Sequence, residues 1–344
     1  MRGSPFGAVP SADEGAFDRL RESINPEWIE AALEATGTAT VRRRRLPAEQ
    51  VIWLVLGMAI YRQRPIDDLV AHLDLSLPGT GSASMAKSAI AQARARLGDE
   101  PLKWLFERCS EKWAHESARR HAWRGLALYG VDGTTVRVPD SKENRTHFGS
   151  QNTRNNQISG YPLARIVTLM ALRSHILAAA AFGPWGDERP YATELWPKVP
   201  DDSLMIVDRN FLAAHILVGL EATGTNRHWL TRATANSKWT VVKKLGPGDE
   251  LVEMMPSWGT RAKNEHVPRV WTMRAIHYRR PGFKPQTLLT SLVDAKLFPA
   301  NELRALYHER WEIEEAQTQT VKSWSASRWS DEFSSWFVDR DIAA

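Results

Sequence analysis

Three acidic residues stand in contexts that suit the chemistry of phosphodiesters. Asp132 follows the apolar stretch 126–131 and starts a turn, and Asp208 follows the apolar run 204–207. Glu314 lies in a segment of helical character. Two carboxylates at strand ends and a third on a helix can hold two divalent cations side by side, which suits in-line attack on a phosphodiester. The competing interpretations are turn or cap aspartates after a strand, and a solvated helix acid.

The helical segment around Glu314 also carries two candidates for phosphate binding. Tyr307, Arg310 and Glu314 follow one another at i, i+3 and i+7, so one face of one helix presents all three. An arginine guanidinium suits bidentate contact with a phosphate. We therefore predict that Tyr307 and Arg310 contact phosphate beside the carboxylate.

Composition narrows the function classes. The 344 residues are 43% hydrophobic and 25% charged, an ordinary globular profile with room for two or three domains. The net charge of +5 permits a nucleic-acid partner but does not demonstrate one. Cys109 is the single cysteine, which rules out an internal disulfide and fits the cytoplasm. The longest apolar run, 51–60, is about half of a membrane span, so we expect no membrane association.

The elements that must position these residues fall into segments of different pattern. Residues 1–22 are predicted to be a disordered leader, and 23–120 an all-helical domain with apolar residues at helical spacing. Strand-length apolar runs begin near residue 125 and then alternate with helices, which indicates a mixed α/β layered fold. Residues 229–293 alternate apolar and polar positions and predict a β-rich insertion before the helix of Glu314.

The motifs around the three acids resemble those of a known family. The run Val131-Asp132-Gly133-Thr134-Thr135 is similar to the first-aspartate motif of DDE transposases, and Val207-Asp208-Arg209-Asn210-Phe211 is similar to the second. The first three letters of the Y-R-E-K signature of the insertion-element-4 family are matched by Tyr307, Arg310 and Glu314. The resemblance covers residues 24–316.

This resemblance implies a fold, a reaction and a set of partners. Residues 125–316 would form an RNase H-like mixed sheet with flanking helices, and 23–120 would bind the element ends. Two Mg²⁺ ions, which Mn²⁺ could replace, would be held by Asp132, Asp208 and Glu314. The other catalytic residues would be Tyr307, Arg310 and Lys322. Water would nick the element end, and the freed 3′-hydroxyl would attack target DNA. The partners would be double-stranded DNA and, on the DNA, a second copy of the chain, in the bacterial nucleoid.

Further candidates for DNA contact are two basic clusters and three tryptophans. The basic residues are Arg42, Arg43, Arg44 and Arg45, then Lys87, Arg94 and Arg96. Each cluster could contact phosphates or only solvate the surface. The resemblance implies that an aromatic of the β insertion stacks near a flipped base, and the candidates are Trp229, Trp258 and Trp271. The acids Asp187, Glu188 and Glu194 are interpreted as loop and helix-start residues.

The resemblance weakens after residue 316. The signature expects a lysine seven positions after the glutamate, where Val321 stands, and Lys322 comes one place late, about 100° away around a helix. The tail 317–344 keeps no helical or strand period. Our hypothesis is a frameshift near codon 317, which would leave a truncated enzyme. Two rival functions stay open: a DNA-binding remnant without catalysis, and a stand-alone metal-dependent nuclease.

Translating the gene in its alternative frames after codon 316 tests the frameshift hypothesis. One frame should restore a helix with Phe or Leu three positions after Glu314 and a lysine seven positions after it. The measurement is resequencing of the genomic locus followed by translation of every frame. A locus in which neither alternative frame restores this pattern would contradict the hypothesis.

Overall fold

A computed structural model describes residues 15–39, 46–61, 64–73, 86–149, 160–279 and 284–310, without the side chains of residues 67 and 71. Outside these ranges lie the tail 317–344 and the site candidates Arg42, Arg43, Arg44, Arg45, Glu314 and Lys322. Their roles stay predictions. The chain divides into two compact units, the first holding the described residues up to Cys109 with Arg137–Asn144, and the second Ser110–Val136 and the described residues from Arg145 onward.

The first unit contains six described helices up to Cys109. Its helices are α1 (Ala16–Ser23), α2 (Pro26–Ala35), α3 (Ala48–Ile60), α4 (Ile66–His72), α5 (Lys87–Leu97) and α6 (Glu100–Cys109). Helix α1 begins at Ala16, within the segment 1–22, and ends at Ser23. Phe17 of this helix is buried and packs edge-on against Trp53, with ring centres 5.9 Å apart.

Local sequence signals explain where these helices begin. The Asn25 side chain caps α2 by accepting a hydrogen bond from the Glu27 backbone N–H at 3.0 Å, and Pro26 occupies the first helical position. Helix α3 is the apolar run 51–60 seen in the sequence, and it is buried along most of its length. Among the described helices, none is long and apolar enough to cross a membrane.

The second unit alternates strands and helices. It starts with a π-helix, Ser110–His115, and α7 (Glu116–Arg120). The remaining elements are β1 (Ala127–Arg137), α8 (Lys142–Phe148), β2 (Leu163–Ala171), β3 (Ile176–Pro184), α9 (Glu188–Leu195), a 3-10 turn at Trp196–Lys198, β4 (Ser203–Val207), a 3-10 turn at Arg209–Phe211, α10 (Ala214–Ala222), β5 (Arg227–Arg232), β6 (Thr240–Gly246), β7 (Asp249–Met254), α11 (Trp258–Lys263), β8 (Trp271–Tyr278), β9 (Gln286–Thr290) and α12 (Ala300–Glu309).

The described strands form one sheet in the order β3-β2-β1-β4-β5-β9-β8-β7-β6. Strands β1, β4 and β5 run parallel, whereas β2 pairs antiparallel with β3. Strand β9 joins β5 in antiparallel pairing, so the predicted β insertion continues the core sheet. Its predicted start, residue 229, falls inside β5, a strand of the parallel core. The mixed sheet with helices on both faces confirms the predicted RNase H-like class.

Side chains of the central strands alternate between two buried layers. In β1, Tyr129 and Val131 join one layer with α9 and α10, whereas Leu128 points to the layer that contains α12. Strand β4 repeats this pattern, with Val207 on the first face and Ile206 on the second. Because both faces of the sheet are covered, the sequences of these strands are continuous apolar runs, as is typical of parallel strands.

Helix α12 is held in place from both ends. Near its start, Glu302 accepts hydrogen bonds from the Trp123 indole at 2.8 Å and from the Arg124 guanidinium at 2.6 and 2.9 Å. The hydrogen bond from Arg124 is the main reason that the pKa of Glu302 falls to about 2. At the other end, Arg173 donates to Glu309 at 3.1 and 3.2 Å. The helix that carries Tyr307 therefore has a fixed position on the sheet.

A buried ion pair links the extended sheet to the start of α12. The Arg274 guanidinium is fully buried and donates to both carboxylate oxygens of Asp249, at 2.7 and 2.6 Å. It also donates to the backbone carbonyls of Phe298 at 2.6 Å and Leu292 at 3.3 Å, just before Pro299 caps α12. One side chain thus connects β7, β8 and the loop that leads into α12.

Replacing Asp249 should destabilise this unit strongly. In Asp249→Asn, Arg274 stays charged and buried without its counter-ion, and breaking such a pair costs about 3–5 kcal/mol. The measurement is the free energy of unfolding in urea. Glu116→Gln, which breaks the exposed Lys112–Glu116 pair, is the matched control and should change little. Equal losses in the two variants would contradict the assignment.

Candidate active site

Asp132 and Asp208 lie side by side on neighbouring parallel strands. In the register of β1 with β4, Val131 stands opposite Val207, and each aspartate is the next residue of its chain segment. Paired strands are about 4.8 Å apart, so the two carboxylates leave the sheet at adjacent positions. Both residues are half-buried. The geometry is the one that the prediction requires, and the catalytic role itself stays a prediction.

Local backbone contacts orient the two carboxylates. Asp132 Oδ1 accepts a hydrogen bond from the Gly133 N–H at 2.9 Å. Asp208 caps the 3-10 turn Arg209–Phe211, with a long contact of 3.5 Å from the Asn210 N–H to Oδ2. Strand β1 continues past Asp132 to Arg137, so the prediction that a turn starts at Asp132 is wrong. Asp208 does follow the last residue of β4 and caps the turn after it, as short polar side chains at strand ends commonly do.

Tyr307 and Arg310 lie beside Asp208, on the side of the sheet covered by α12. Tyr307 is 3% exposed and Arg310 is 6% exposed, with the Arg310 Cζ 5.9 Å from the tyrosine ring centre. Burial raises the pKa of Tyr307, and the nearby charges of Arg310, Asp208 and Arg232 act on it in opposite directions. The phenol, the carboxylate and two guanidiniums therefore share one region.

Glu188 approaches the same region from the start of α9. A Cβ atom added at Gly133 would lie 3.0 Å from the Glu188 Cβ and would collide with its Oε2. Glycine at position 133 is therefore what lets the glutamate sit against β1. Burial raises the pKa of the Glu188 carboxyl, against the opposing effects of Arg165 and of a hydrogen bond from Asn210, while Asp208 raises it further.

Two described residues carry donors that suit a hard cation. Asp132 and Asp208 supply hard oxygen donors of the kind that Mg²⁺ prefers. Within the described ranges, no three His, Cys, Asp or Glu side chains are grouped so that they could hold a metal ion. The predicted third ligand, Glu314, lies beyond Arg310, outside those ranges. The donor chemistry fits a divalent cation, and the full ligand set stays a prediction.

The basic residues of α5 do not share one face. Lys87 and Arg94 are seven positions apart and lie on the same flank of the helix, whereas Arg96 is about 180° from Lys87. The helix packs through Ile90, Ala93 and Leu97. Lys87 and Arg96 are exposed and Arg94 is half-buried. A DNA contact through α5 would therefore use one flank at a time.

Burial separates the three tryptophan candidates. Trp229 is fully buried and Trp271 is 6% exposed, and their rings pack together with centres 5.2 Å apart. Trp258, the first residue of α11, is 77% exposed. Only Trp258 of these three offers its indole face to a base. The other two belong to the core.

Two residues of this region were not predicted from the sequence as site residues. Glu188 is a helix-start acid as interpreted, yet it also lies against Gly133 of β1 and near the charge of Asp208. Arg232 ends β5 and lies near Tyr307. For Arg232, the available signal was a basic residue at the end of a core strand, next to the strand of Asp208. Nothing local distinguished Glu188 from Asp187 and Glu194.

Comparisons with known proteins agree with the motif analysis. Residues 14–107 match the model of the insertion element 4 transposase N-terminal family, and residues 124–329 match the transposase DDE domain. The chain is 36% identical over 310 residues to the transposase InsG for insertion sequence element IS4 of Escherichia coli K12, covering 90% of this chain and 69% of InsG. It is 39% identical over 233 residues to the InsZ protein of the same bacterium, covering 67% and 76% of the two chains.

A solved piggyBac transposase synaptic complex with hairpin DNA aligns over 93% of this chain and 62% of that one. The TM-score of this alignment is 0.40 and the sequence identity is 12%. The DDE domain match spans more than half of the chain, and it contains both aspartates, Tyr307 and Arg310. The motif resemblance is thereby confirmed, and so is the enzyme class. The chain belongs to the insertion element 4 family of DDE transposases.

Proposed function

We propose that this chain cleaves DNA at the ends of an insertion sequence and joins the freed ends to target DNA. The observation that carries the proposal is the adjacent position of Asp132 within β1 and Asp208 at the end of the paired parallel strand β4, with Tyr307 near the charge of Asp208. Cleavage and joining both need an in-line displacement at phosphorus, so one set of residues can serve both steps.

The proposed cofactor is a pair of Mg²⁺ ions, with Mn²⁺ as a substitute. The ligands would be Asp132, Asp208 and Glu314. Bound there, divalent cations would activate the attacking hydroxyl and stabilise the leaving oxygen. The family supports dependence on a divalent cation, and the donor set of oxygen atoms supports a hard ion.

Tyr307, Arg310 and Arg232 would bind the phosphates next to the cleaved bond. The charges of Arg310, Asp208 and Arg232 all act on the Tyr307 phenol, and a guanidinium pairs well with phosphate oxygens in a partly dry site. Arg310 is nearly buried, so it would hold a phosphate with little loss of side-chain freedom. Lys322 would add a further positive charge.

The partners would be double-stranded DNA at the element ends and at the target, with a second copy of the chain on the DNA. The first unit would contact the ends through Arg42, Arg43, Arg44 and Arg45 and through Lys87, Arg94 and Arg96. A DNA substrate of this kind implies action in the bacterial cytoplasm, at the nucleoid. The match to the N-terminal family model supports this division of labour.

Trp258 would stack on an unpaired base beside the cleavage site. A cleft of about 280 Å³ lies between the segment Leu212–His215 that follows Asp208 and residues of the extended sheet such as Met254 and Trp271, and its lining includes Pro256 and Thr260, which flank Trp258 in the chain. Met255, which lines the cleft, is 79% exposed. An exposed indole next to a cleft with apolar walls suits a base removed from the helix stack.

Removing either aspartate should abolish cutting without unfolding the protein. Asp132→Asn and Asp208→Asn keep the shape and the local hydrogen bonds but remove the charge that holds the cation. The loss of several kcal/mol of transition-state stabilisation corresponds to a rate lower by about 10³-fold or more. The measurement is strand-specific nicking of element-end DNA with Mg²⁺. Glu194→Gln, on the exposed side of α9, is the control and should cut normally.

The same assay separates the proposal from its rivals. Wild-type protein that shifts element-end DNA in a gel without cutting it would favour a DNA-binding remnant. Cutting without joining to target DNA would favour a stand-alone nuclease. Cutting that persists in Asp132→Asn would overturn the proposed site.

Replacing Trp258 should weaken the contact with an unpaired base. Stacking contributes about 1–3 kcal/mol per base, so Trp258→Ala should lower affinity by about 5- to 150-fold. The measurement is fluorescence of 2-aminopurine placed at the unpaired position, which stacking quenches. Trp258→Phe should retain most of the quenching. Phe182→Ala removes another exposed aromatic, from β3 at the far edge of the sheet, and should have no effect. Equal behaviour of the two alanine variants would contradict the stacking role.

A further inference from the structure

One end of the extended sheet is continuous with the strand end at which Asp208 stands. Strand β5 is parallel to β4 and ends at Arg232, so Arg232 lies at the same end as Asp208. The strands β9, β8, β7 and β6 then alternate in direction. This end of the sheet therefore comprises the start of β9, the end of β8, the start of β7 and the end of β6.

Exposed basic residues from three of these strands or their flanks collect at this end. They form a surface that we call the basic rim, which consists of Lys243, Lys244, Arg279 and Lys284. The two lysines of β6 lie in its last turn of pairing with β7, Arg279 directly follows β8, and Lys284 stands two positions before β9. Within the described part of the chain, no ion pair involves any of the four. Their positive charges are therefore available to a partner.

The acids at the same end of the sheet are engaged elsewhere. Asp249, the first residue of β7, is buried against the Arg274 guanidinium. Glu250 stands opposite Lys244 in the register, but its carboxylate lies 3.2 Å from His277 Nε2 on the neighbouring strand. The basic rim therefore carries an excess of positive charge.

The base of the β8–β9 hairpin places one part of the rim near α12. The Tyr278 hydroxyl donates to Gln286 Oε1 at 2.7 Å across this base, and the Tyr278 ring lies 6.2 Å from the ring of His308 in α12. His308 adjoins Tyr307, and Arg279 directly follows Tyr278. The rim thus begins near the helix proposed to bind phosphate and continues outward to β6.

Lysines on an edge strand also have a purely structural explanation. Strand β6 is the last of the sheet, and charged side chains on such strands commonly prevent pairing with another chain. Val241 and Val242 of β6 are 45% and 51% exposed, which would favour such pairing. However, Arg279 and Lys284 border inner strands, where this protection is not needed. A partner with negative charge along its length accounts for all four basic residues.

We propose that the basic rim binds the phosphate backbone of the duplex that leads away from the cleaved bond, an inference that rests on the proposed function. In the sheet order, β9 and β8 are two and three steps from β4, and β6 is five steps away. At about 4.8 Å per step these strands lie about 10, 14 and 24 Å from β4, which corresponds to about 3, 4 and 7 base pairs of B-DNA. Contacts with phosphates carry no sequence preference.

Two pair variants of the full chain test the proposal through their salt dependence, Arg279→Gln/Lys284→Gln and Lys243→Gln/Lys244→Gln. The measurement is fluorescence anisotropy without a divalent cation, on element-end duplex and on an unrelated duplex of equal length. Each phosphate contact contributes about 0.9 to the slope of log affinity against log salt, so each pair variant should lower this slope by about 1.8. Between about 50 and 200 mM salt it should then lose about 12-fold less affinity than wild type, on both duplexes alike.

A control of equal charge removes two exposed lysines at other places in the same unit. Lys112 lies in the π-helix that packs on β3, at the other edge of the sheet. Lys296 follows β9, at the opposite end of the strands. Lys112→Gln/Lys296→Gln should keep the wild-type slope.

Duplex length gives a second readout, in a series shortened from either side of the cleaved bond. With about 5 base pairs left on the bound side, Arg279→Gln/Lys284→Gln should still bind more weakly than wild type, whereas Lys243→Gln/Lys244→Gln should match it. With about 10 base pairs left, both variants should bind more weakly. The order follows from the positions of β9, β8 and β6 in the sheet.

Charge reversal separates DNA binding from protection of the edge. Lys243→Glu/Lys244→Glu keeps β6 charged, so it should remain in the oligomeric state of wild type in analytical ultracentrifugation while binding duplex more weakly than Lys243→Gln/Lys244→Gln. If the lysines only protect the edge, the glutamate variant will bind duplex like wild type and the glutamine variant will self-associate. That result would overturn the proposal, as would unchanged salt slopes in the two pair variants or an equal change in the control.

Failure of the proposed function would look different, because contacts with phosphates do not depend on cutting. Wild-type protein that binds duplex without cutting it would contradict the proposed function, and the salt slopes would still decide about the rim. Wild-type protein that binds neither duplex would overturn both.

Discussion

The parallel pairing of β1 with β4 is the constraint on which the rest of the site depends. With Val131 opposite Val207, two carboxylates leave the sheet at neighbouring positions, where their charges repel each other. The backbone N–H groups of Gly133 and Asn210 point to these carboxylates and offset part of that repulsion. A divalent cation bound by both carboxylates would offset it further.

The core of the fold protects this register. Strands β1 and β4 bury side chains on both faces, so a slip of one residue would exchange the contents of the two layers. It would move Tyr129 and Val131 toward α12, and Leu128 toward α9 and α10. The packing of the sheet thus specifies the spacing of the aspartates more firmly than any contact that the carboxylates themselves make.

The extension of the sheet gives α12 a second anchor. Arg274 ties β7 and β8 to the loop before α12, and Glu302 ties the same helix to the segment before β1. The position of Tyr307 and Arg310 therefore depends on strands that lie far from them in the sheet. An insertion that continues the core sheet can present an exposed residue such as Trp258 while its own strands support α12.

The sequence by itself determined the local features of this protein. Apolar runs that end in Asp132 and Asp208, the helical spacing of Tyr307 and Arg310, and the cap at Asn25 are encoded within a few residues of one another, because periodicity and capping are local properties. Tertiary structure decided which strands pair, that the insertion continues the core sheet, that α1 is ordered, and which tryptophan is exposed. It also brought Glu188 against Gly133 and Arg232 near Tyr307. These outcomes depend on packing between segments distant in the chain, and a local pattern carries no information about which distant segment will be its neighbour.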